Sequence, residues 1–332
     1  MTLFPPSMAP VLSFSVTFVF LRVLLRRLSH RVLDRPNERS LHQTPVPRTG
    51  SVGVLAGLAV TLPFVAPGSW WPLWLGVVLV MAVSFLDDLA GVPIVWRLLT
   101  QVVAAALCVT GFFSGTVGLV GCGALVLAMV WMINLYNFMD GMDGLAGGMA
   151  VFGFGFLAIA AWLGGHGSLA VVSACIASGA GAFLFYNFHP ARMFLGDAGS
   201  TALGFLAAGV GLIGWGDGVW SIWVPVLVFS PFIVDATVTL VWRVFQGKRF
   251  WQAHRAHYYQ RLVLSGWSHR KTALVEYGLM VSCGLGALVF QQSSGTVQLA
   301  IAGLWALVFL GLAQSVSMIE QRIPGHGVFD GR

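Results

Sequence analysis

The stretch GLVGCGALVLAMVWMINLYNFMDGMDGLAGGMAVFGFGFLAIAAWL, residues 118–163, decides the fold. Its two halves, 118–138 and 144–163, are apolar runs, each about the 20 residues a helix needs to cross the hydrocarbon of a bilayer. Between them lies a connection, 139–143, that carries two carboxylates, Asp140 and Asp143. Such a connection belongs at the water interface, so the chain crosses, turns and crosses back. Backbone inside hydrocarbon must satisfy its own hydrogen bonds, which selects helices for both runs.

The same pattern extends in both directions. Apolar runs lie near 8–28, 50–67, 70–88, 97–114, 118–138, 144–163, 168–187, 199–214, 219–241, 272–291 and 296–315. Composition agrees, with 57% hydrophobic and 9% charged residues and a mean hydropathy of +0.84. Soluble domains carry about 25% charged residues. The expectation is an all-α, polytopic transmembrane helical bundle of about 11 spans, one integral membrane domain over 1–332. Four cysteines, Cys108, Cys122, Cys175 and Cys283, sit singly in apolar runs without zinc-type spacing and read as packing residues.

Topology follows from the basic residues. One side holds 29–49, 89–96, 139–143, 188–198, 242–271 and the C-terminal tail. Every Lys and Arg lies on it, within one or another of these segments or at an adjoining span end, and the connections on the other side have none. Cytoplasmic loops attract Lys and Arg, so the N-terminus is expected outside and the C-terminus in the cytoplasm. Trp70, Trp71, Trp74, Trp162, Trp215, Trp220 and Trp223 gather at the outer ends, as an interfacial aromatic belt would. Topology thus explains the net charge of +6 without nucleic acid.

The acids carry the chemical signal. Asp87, Asp88, Asp140, Asp143, Asp197 and Asp235 all fall at or near the cytoplasmic ends of spans. One such Asp is readily an interfacial loop residue or a helix cap. Several on one face point to a divalent cation, and hard oxygen ligands favour Mg²⁺, with Mn²⁺ as a substitute. A transporter would instead place carboxylates mid-span in paired broken helices.

Five segments frame that face. SFLDD (84–88) ends the third run with adjacent carboxylates that need a cation or an arginine, and Arg97 follows nine residues later. NLYNFMDGMDGL (134–145) places Asn134 and Asn137 on one helix face ahead of Asp140 and Asp143. NFHPARMFLGDAGS (187–200) sets Asp197 in a glycine-bracketed turn, with Asn187, Arg192 to grip phosphate oxygens and Phe194 to stack on a base. KRFWQAHRAHYYQR (248–261) offers His254, Arg255 and His257 as a diphosphate clamp, or as an ordinary basic loop against anionic lipid. DRPNERSLH (34–42) with PRTG (47–50) forms a shaped loop whose Arg and His can close over an anion. The letters Gly209, Gly211 and Gly214 match a dinucleotide fingerprint, but their place in an apolar span makes them packing glycines.

Together these segments resemble the polyprenyl-phosphate N-acetylhexosamine-1-phosphate transferase family, which includes phospho-MurNAc-pentapeptide translocase and the initiators of O-antigen, enterobacterial common antigen and teichoic acid. The similarity runs from about residue 34 to 270. The Asn-x-x-Asn-x-x-Asp-Gly-x-Asp-Gly-Leu and Phe-x-Gly-Asp-x-Gly-Ser motifs carry most of it. The resemblance implies Asp87 and Asp88 at the catalytic centre, with His257 matching the first histidine of the family's loop motif. It implies Asp197 as the Mg²⁺ ligand, Phe194 stacked on uracil, and Asp140, Asp143 and Asn187 around nucleotide and sugar. The segments themselves add Arg255 to the catalytic set and Asn134, Asn137, Arg192 and His254 to the nucleotide and sugar set. The implied partners are a UDP-N-acetylhexosamine donor, a polyprenyl (undecaprenyl) phosphate acceptor and the bilayer, with a homodimer as a candidate assembly. The implied location is the bacterial inner membrane, with the site on the cytoplasmic face.

Two departures point within that family. The peptidoglycan branch has consecutive histidines where this chain reads His257, Tyr258, Tyr259, Gln260, and the first loop has Arg48, Thr49, Gly50, Ser51 where Gly-Gly is usual. With the short 242–271 loop, these favour initiation of O-antigen or similar glycans, the phospho-MurNAc-pentapeptide enzyme being the alternative.

Overall fold

Each apolar run forms helix in the computed structural model, which describes residues 5–28, 33–34, 41, 45–249 and 254–322. The helices are α1 (Ala9–Leu28), α2 (Gly50–Val65), α3 (Trp71–Ala90), α4 (Ile94–Phe113), α5 (Leu119–Phe138), α6 (Leu145–Leu163) and α7 (Gly167–Asn187). They continue as α8 (Asp197–Gly216), α9 (Trp223–Val228), α10 (Ser230–Phe245), α11 (Tyr258–Leu264), α12 (His269–Gln291) and α13 (Gly295–Gln321). Among the described residues, nine helices are long and apolar enough to cross a membrane, and α2 is a shorter apolar helix. This is a multi-pass helical membrane protein.

The ends are set locally. Pro93 stands immediately before α4 and Pro72 lies in the first turn of α3, where a missing N–H costs nothing. Gly91, with φ +69°, ends α3. Ser268 caps α12 by accepting from Lys271 N–H.

The run 219–241 departs from the expected single span. It breaks into α9 and α10 at Phe229, where Pro231 occupies the first turn of α10 and the Ser230 hydroxyl donates to Leu227 O at 2.7 Å. Proline cannot supply the N–H that would carry the helix through. The expected 242–271 connection also contains a short helix, α11.

The centre of the bundle is α8. It packs against α3 and α5, while α6 pairs with α7, α1 with α2 and α7, and α12 with α6 and α9. Lipid offers no hydrophobic drive between helices, so close approach rests on small residues. At Gly204 of α8, a Cβ would lie 2.8 Å from the Met132 carbonyl oxygen and from the Ile133 Cα of α5. Only glycine allows that contact. By contrast α13 buries only Val316. Trp71, Trp162 and Trp223 are exposed, as an interfacial belt requires, but Trp70 and Trp220 are buried. Trp220 spends its Nε1–H on the Gly211 carbonyl, 2.9 Å away, so it is a packing residue.

Before α2, a two-residue antiparallel ladder pairs β1 (Leu33–Asp34) with β2 (Val46–Pro47). This ladder is stitched to the turn before α8. Phe194 N–H donates to Pro47 O, Gly50 N–H donates to Phe194 O, and Ser51 N–H donates to Leu195 O. Arg39 and His42 of the first loop lie outside the described residues.

Candidate active site

Asp87 and Asp88 close α3, Asp197 opens α8, and Asp140 follows α5. The packing of α8 between α3 and α5 therefore gathers four carboxylates at one end of the bundle. Gly196 makes the turn: its φ of +79° is open to glycine at little strain, and a Cβ there would sit 3.4 Å from Asp88 Oδ2.

Two arginines thread the carboxylates. Arg48 Nη2 lies 2.7 Å from Asp34 Oδ1, and its Nη1 is 3.6 Å from Asp88 Oδ1. Arg97 Nη1 lies 2.5 Å from Asp87 Oδ2, with Nη2 3.6 Å from Asp197 Oδ2. Asp87 Oδ1 also accepts the Val92 N–H at 2.7 Å. Asp140 keeps partial exposure at the edge of this group. Burial first, then the Asp197, Asp34 and Asp88 carboxylates, push its pKa well above the ordinary range, against the pull of Arg48. Negative charge thus exceeds what the two guanidiniums neutralise.

That excess and the oxygen-only donors fit Mg²⁺. The carboxylates are not drawn into a tight cage, however. Among the described residues, the one group of three such donors lying within 4.8 Å of each other is Asp143, His189 and His269. A Mg²⁺ ion usually keeps several waters and takes one or two carboxylates. The loose spacing around Asp197 suits that mode of binding.

The asparagines fix the surrounding backbone. Asn187 Oδ1 accepts the Gly144 N–H at 3.0 Å and its Nδ2 donates to Met193 O at 2.9 Å, tying the two loops together. Asn137 donates to the Ser200 hydroxyl at 2.9 Å, and Asn134 donates to Gln101 Oε1 at 2.7 Å. Asp143 is buried and accepts from Ala191 N–H at 3.1 Å, with His189 Nδ1 at 2.7 Å. Burial alone would raise its pKa, but His269, His189 and the Ala191 N–H hold it below the usual value.

A second group forms around Asp235 of α10. Its carboxylate accepts Tyr258 N–H at 3.0 Å, Tyr259 N–H at 3.2 Å and the Thr239 hydroxyl at 3.2 Å, with His257 Nδ1 at 3.2 Å. Asp235 therefore caps α11 and orients His257 together. His254 lies beside His257, ring centroids 5.0 Å apart. Burial, then the neighbouring His257 and Arg243, push its pKa down to about 3. The shift favours the neutral imidazole, whose Nδ1 accepts the Ala256 N–H at 3.3 Å. Arg255 has a buried Nε without a hydrogen-bond partner among the described residues. The exposed Arg192 places its guanidinium 5.6 Å from the Phe185 ring centroid and 5.0 Å from the Tyr186 ring centroid. Phe194 reaches the site through its backbone bonds to Pro47 and Gly50.

Sequence reasoning gave no role to His189 or His269 and did not foresee that Gln101 meets Asn134. None sits in a motif spacing that flags it. The one available signal was that His189 lies inside the 187–200 segment.

A family model, Glycosyl transferase family 4, matches residues 70–215. The phospho-N-acetylmuramoyl-pentapeptide-transferase of Desulforudis audaxviator (strain MP104C) is 31% identical over 324 residues, covering 81% of this chain and 93% of that protein. The chain belongs to glycosyl transferase family 4. Within this family-4 chain, the matched region runs from Trp70, just before α3, to Trp215 near the end of α8, and contains every carboxylate of the site except Asp34 and Asp235. Two further relatives are similar over nearly the whole length. The probable undecaprenyl-phosphate N-acetylglucosaminyl 1-phosphate transferase of Bacillus subtilis (strain 168) is 26% identical, over 92% of this chain and 91% of that one. The decaprenyl-phosphate N-acetylglucosaminephosphotransferase of Mycobacterium tuberculosis (strain ATCC 25618 / H37Rv) is 28% identical, over 90% and 85%.

Proposed function

We propose that this family-4 protein transfers an N-acetylhexosamine-1-phosphate from a UDP-sugar to a polyprenyl phosphate, releasing UMP and starting O-antigen or a similar cell-surface glycan. The observation that carries this reading is the group of Asp87, Asp88, Asp140 and Asp197 at one end of the bundle, threaded by Arg48 and Arg97. The sugar nucleotide is soluble and the lipid phosphate lies at headgroup depth, so a site at a span end serves both. The excess of Lys and Arg on that side supports a site at the cytoplasmic face of the inner membrane.

Phosphoryl transfer is mainly positioning and charge neutralisation. The acceptor phosphate oxygen attacks the β-phosphorus, a new P–O bond forms, and the bond to the UMP oxygen breaks. A phosphate monoester, with a second pKa near 6, is already largely dianionic at neutral pH. Asp87 and Asp88 therefore orient the acceptor more than they deprotonate it, which favours direct attack over a covalent aspartyl intermediate. Bound through Asp197, Mg²⁺ would supply charge neutralisation on the diphosphate. Arg255 and His257 face the same task from the α11 side, with Asp235 holding His257. Asn134, Asn137 and Asn187 keep the nucleotide and sugar walls in register, with neutral His254 offering a hydrogen bond.

The phospho-MurNAc-pentapeptide reaction is the second reading, favoured by the 31% identity to the Desulforudis protein. Membranes containing the chain, incubated with UDP-GlcNAc, UDP-GalNAc or UDP-MurNAc-pentapeptide, separate the two by the lipid product. Asp197→Asn is expected to abolish transfer and its metal dependence. Metal-dependent turnover by that variant counts against the assignment, and no lipid product from any donor overturns it.

A further inference from the structure

Near the acidic group lie three possible metal donors that the proposed transfer does not need as ligands. Asp143 leaves the turn between α5 and α6, His189 lies in the turn after α7, and His269 opens α12. Their donor atoms all lie within 4.8 Å of one another. His189 Nδ1 is 2.7 Å from Asp143 Oδ2, and His269 Nδ1 is 3.5 Å from Asp143 Oδ1. The two imidazoles stand 5.3 Å apart between centroids, tilted by 47°.

A hydrogen-bonded triad accounts for only part of this. His189 can donate to Asp143, which also accepts the Ala191 N–H. His269 Nδ1 is buried, and among the described residues it faces Asp143 Oδ1 at 3.5 Å, too loose for a well-formed hydrogen bond. A buried ring nitrogen held 3.5 Å from a carboxylate oxygen, at the outer edge of hydrogen-bond distance, can serve as a metal ligand. Ligands bound to one tetrahedral ion at about 2.0–2.1 Å lie about 3.3 Å apart. The 2.7 Å and 3.5 Å contacts run to the two different oxygens of Asp143, and all three donors lie within 4.8 Å of one another, so shifts of up to about 1.5 Å would bring them onto one ion.

We infer that Asp143, His189 and His269 bind one divalent cation of the imidazole-preferring kind, with Zn²⁺ as the representative. Two imidazoles and one carboxylate suit Zn²⁺, Ni²⁺ or Co²⁺ and not Mg²⁺. The site shares no ligand with Asp87, Asp88 or Asp197. His189 is 38% exposed, which leaves the open side to a water as the remaining ligand. The ion would pin three separate elements at one point: the acidic turn, the loop leading to Asp197 and the start of α12. This inference does not rest on the proposed transfer.

The test uses the purified full-length protein, stripped with a chelator and titrated with Zn²⁺ and separately with Co²⁺. One equivalent of Zn²⁺ is expected to bind, and Co²⁺ is expected to give a visible ligand-field band. Asp197→Asn should keep both. His189→Ala and His269→Ala should each weaken Zn²⁺ binding by at least tenfold and remove the band, while their thermal unfolding without metal shows that they fold. No Zn²⁺ uptake and no Co²⁺ band in the unaltered protein overturns the site without reference to any variant. Uptake lost in Asp197→Asn, or unchanged in both histidine variants, overturns it as well.

Discussion

Arg97 bridges two helices by lying 2.5 Å from Asp87 on α3 and 3.6 Å from Asp197 on α8. One cation thus occupies the space between the acceptor-side carboxylate and the proposed metal ligand. Removing it has opposite effects on metal and turnover. Arg97→Gln is expected to tighten Mg²⁺ binding, because a competing positive charge leaves, and to lower kcat by about 10- to 100-fold, because a phosphate loses its guanidinium. Steady-state rates across a Mg²⁺ series measure both. A variant that loses turnover and Mg²⁺ affinity together refutes this division of roles.

Asp235 does for His257 what a carboxylate does for a ligating or catalytic imidazole, fixing which nitrogen carries the proton. Asp235→Asn would set an amide NH₂ or a weaker acceptor against the Tyr258 and Tyr259 N–H groups. The expectation is a fall in kcat of about 10- to 100-fold with little change in KM for the donor, from comparable outer-shell substitutions. The pH–rate profile should shift as well, which simple loosening of α11 would not produce.

Gly196→Ala tests the turn that presents Asp197. A non-glycine residue at φ +79° costs about 1–3 kcal/mol, and the added methyl would touch Asp88 Oδ2 at 3.4 Å. Lower thermal stability and weaker Mg²⁺ activation are expected together. Full activity at unchanged melting temperature would mean that the turn is not held as described.

The pH response of Asp140 has a definite sign. Its folded pKa lies above its unfolded one, so its protonated form stabilises the fold. That contribution is complete below about pH 3.9 and is lost as pH rises through the raised value. Asp140→Asn should remove the loss, flattening the decline of metal-free melting temperature toward higher pH. Thermal melts across pH in the presence of chelator check it. An equally steep decline in the variant assigns the effect to other groups.

What the sequence made legible was what hydropathy and charge control. Eleven apolar runs, the side on which Asp87, Asp140 and Asp197 emerge and the basic asymmetry all follow from transfer free energies that act residue by residue. The break at Phe229 was hidden because Pro225 and Pro231 sit in a run whose apolar character never lapses. Trp70 and Trp220 looked interfacial because their heights were right, but height does not reveal whether a ring points outward or into a glycine-lined gap such as that at Gly214. The contacts of Arg48, Gln101, His189 and His269 depend on how distant helices cross. No local pattern encodes that.

The enclosure of α8 on almost every side has a bearing on diversity among such enzymes. Asp197 is the first residue of the most buried long helix among the described residues, so shifting it would disturb α3 and α5 at once. A change of sugar donor is therefore easier to accommodate at the periphery, in the segment 254–257 and the ladder before α2, while the phosphate chemistry stays where it is. Swapping those rim segments between relatives is the natural route to altering which donor is accepted without rebuilding the centre.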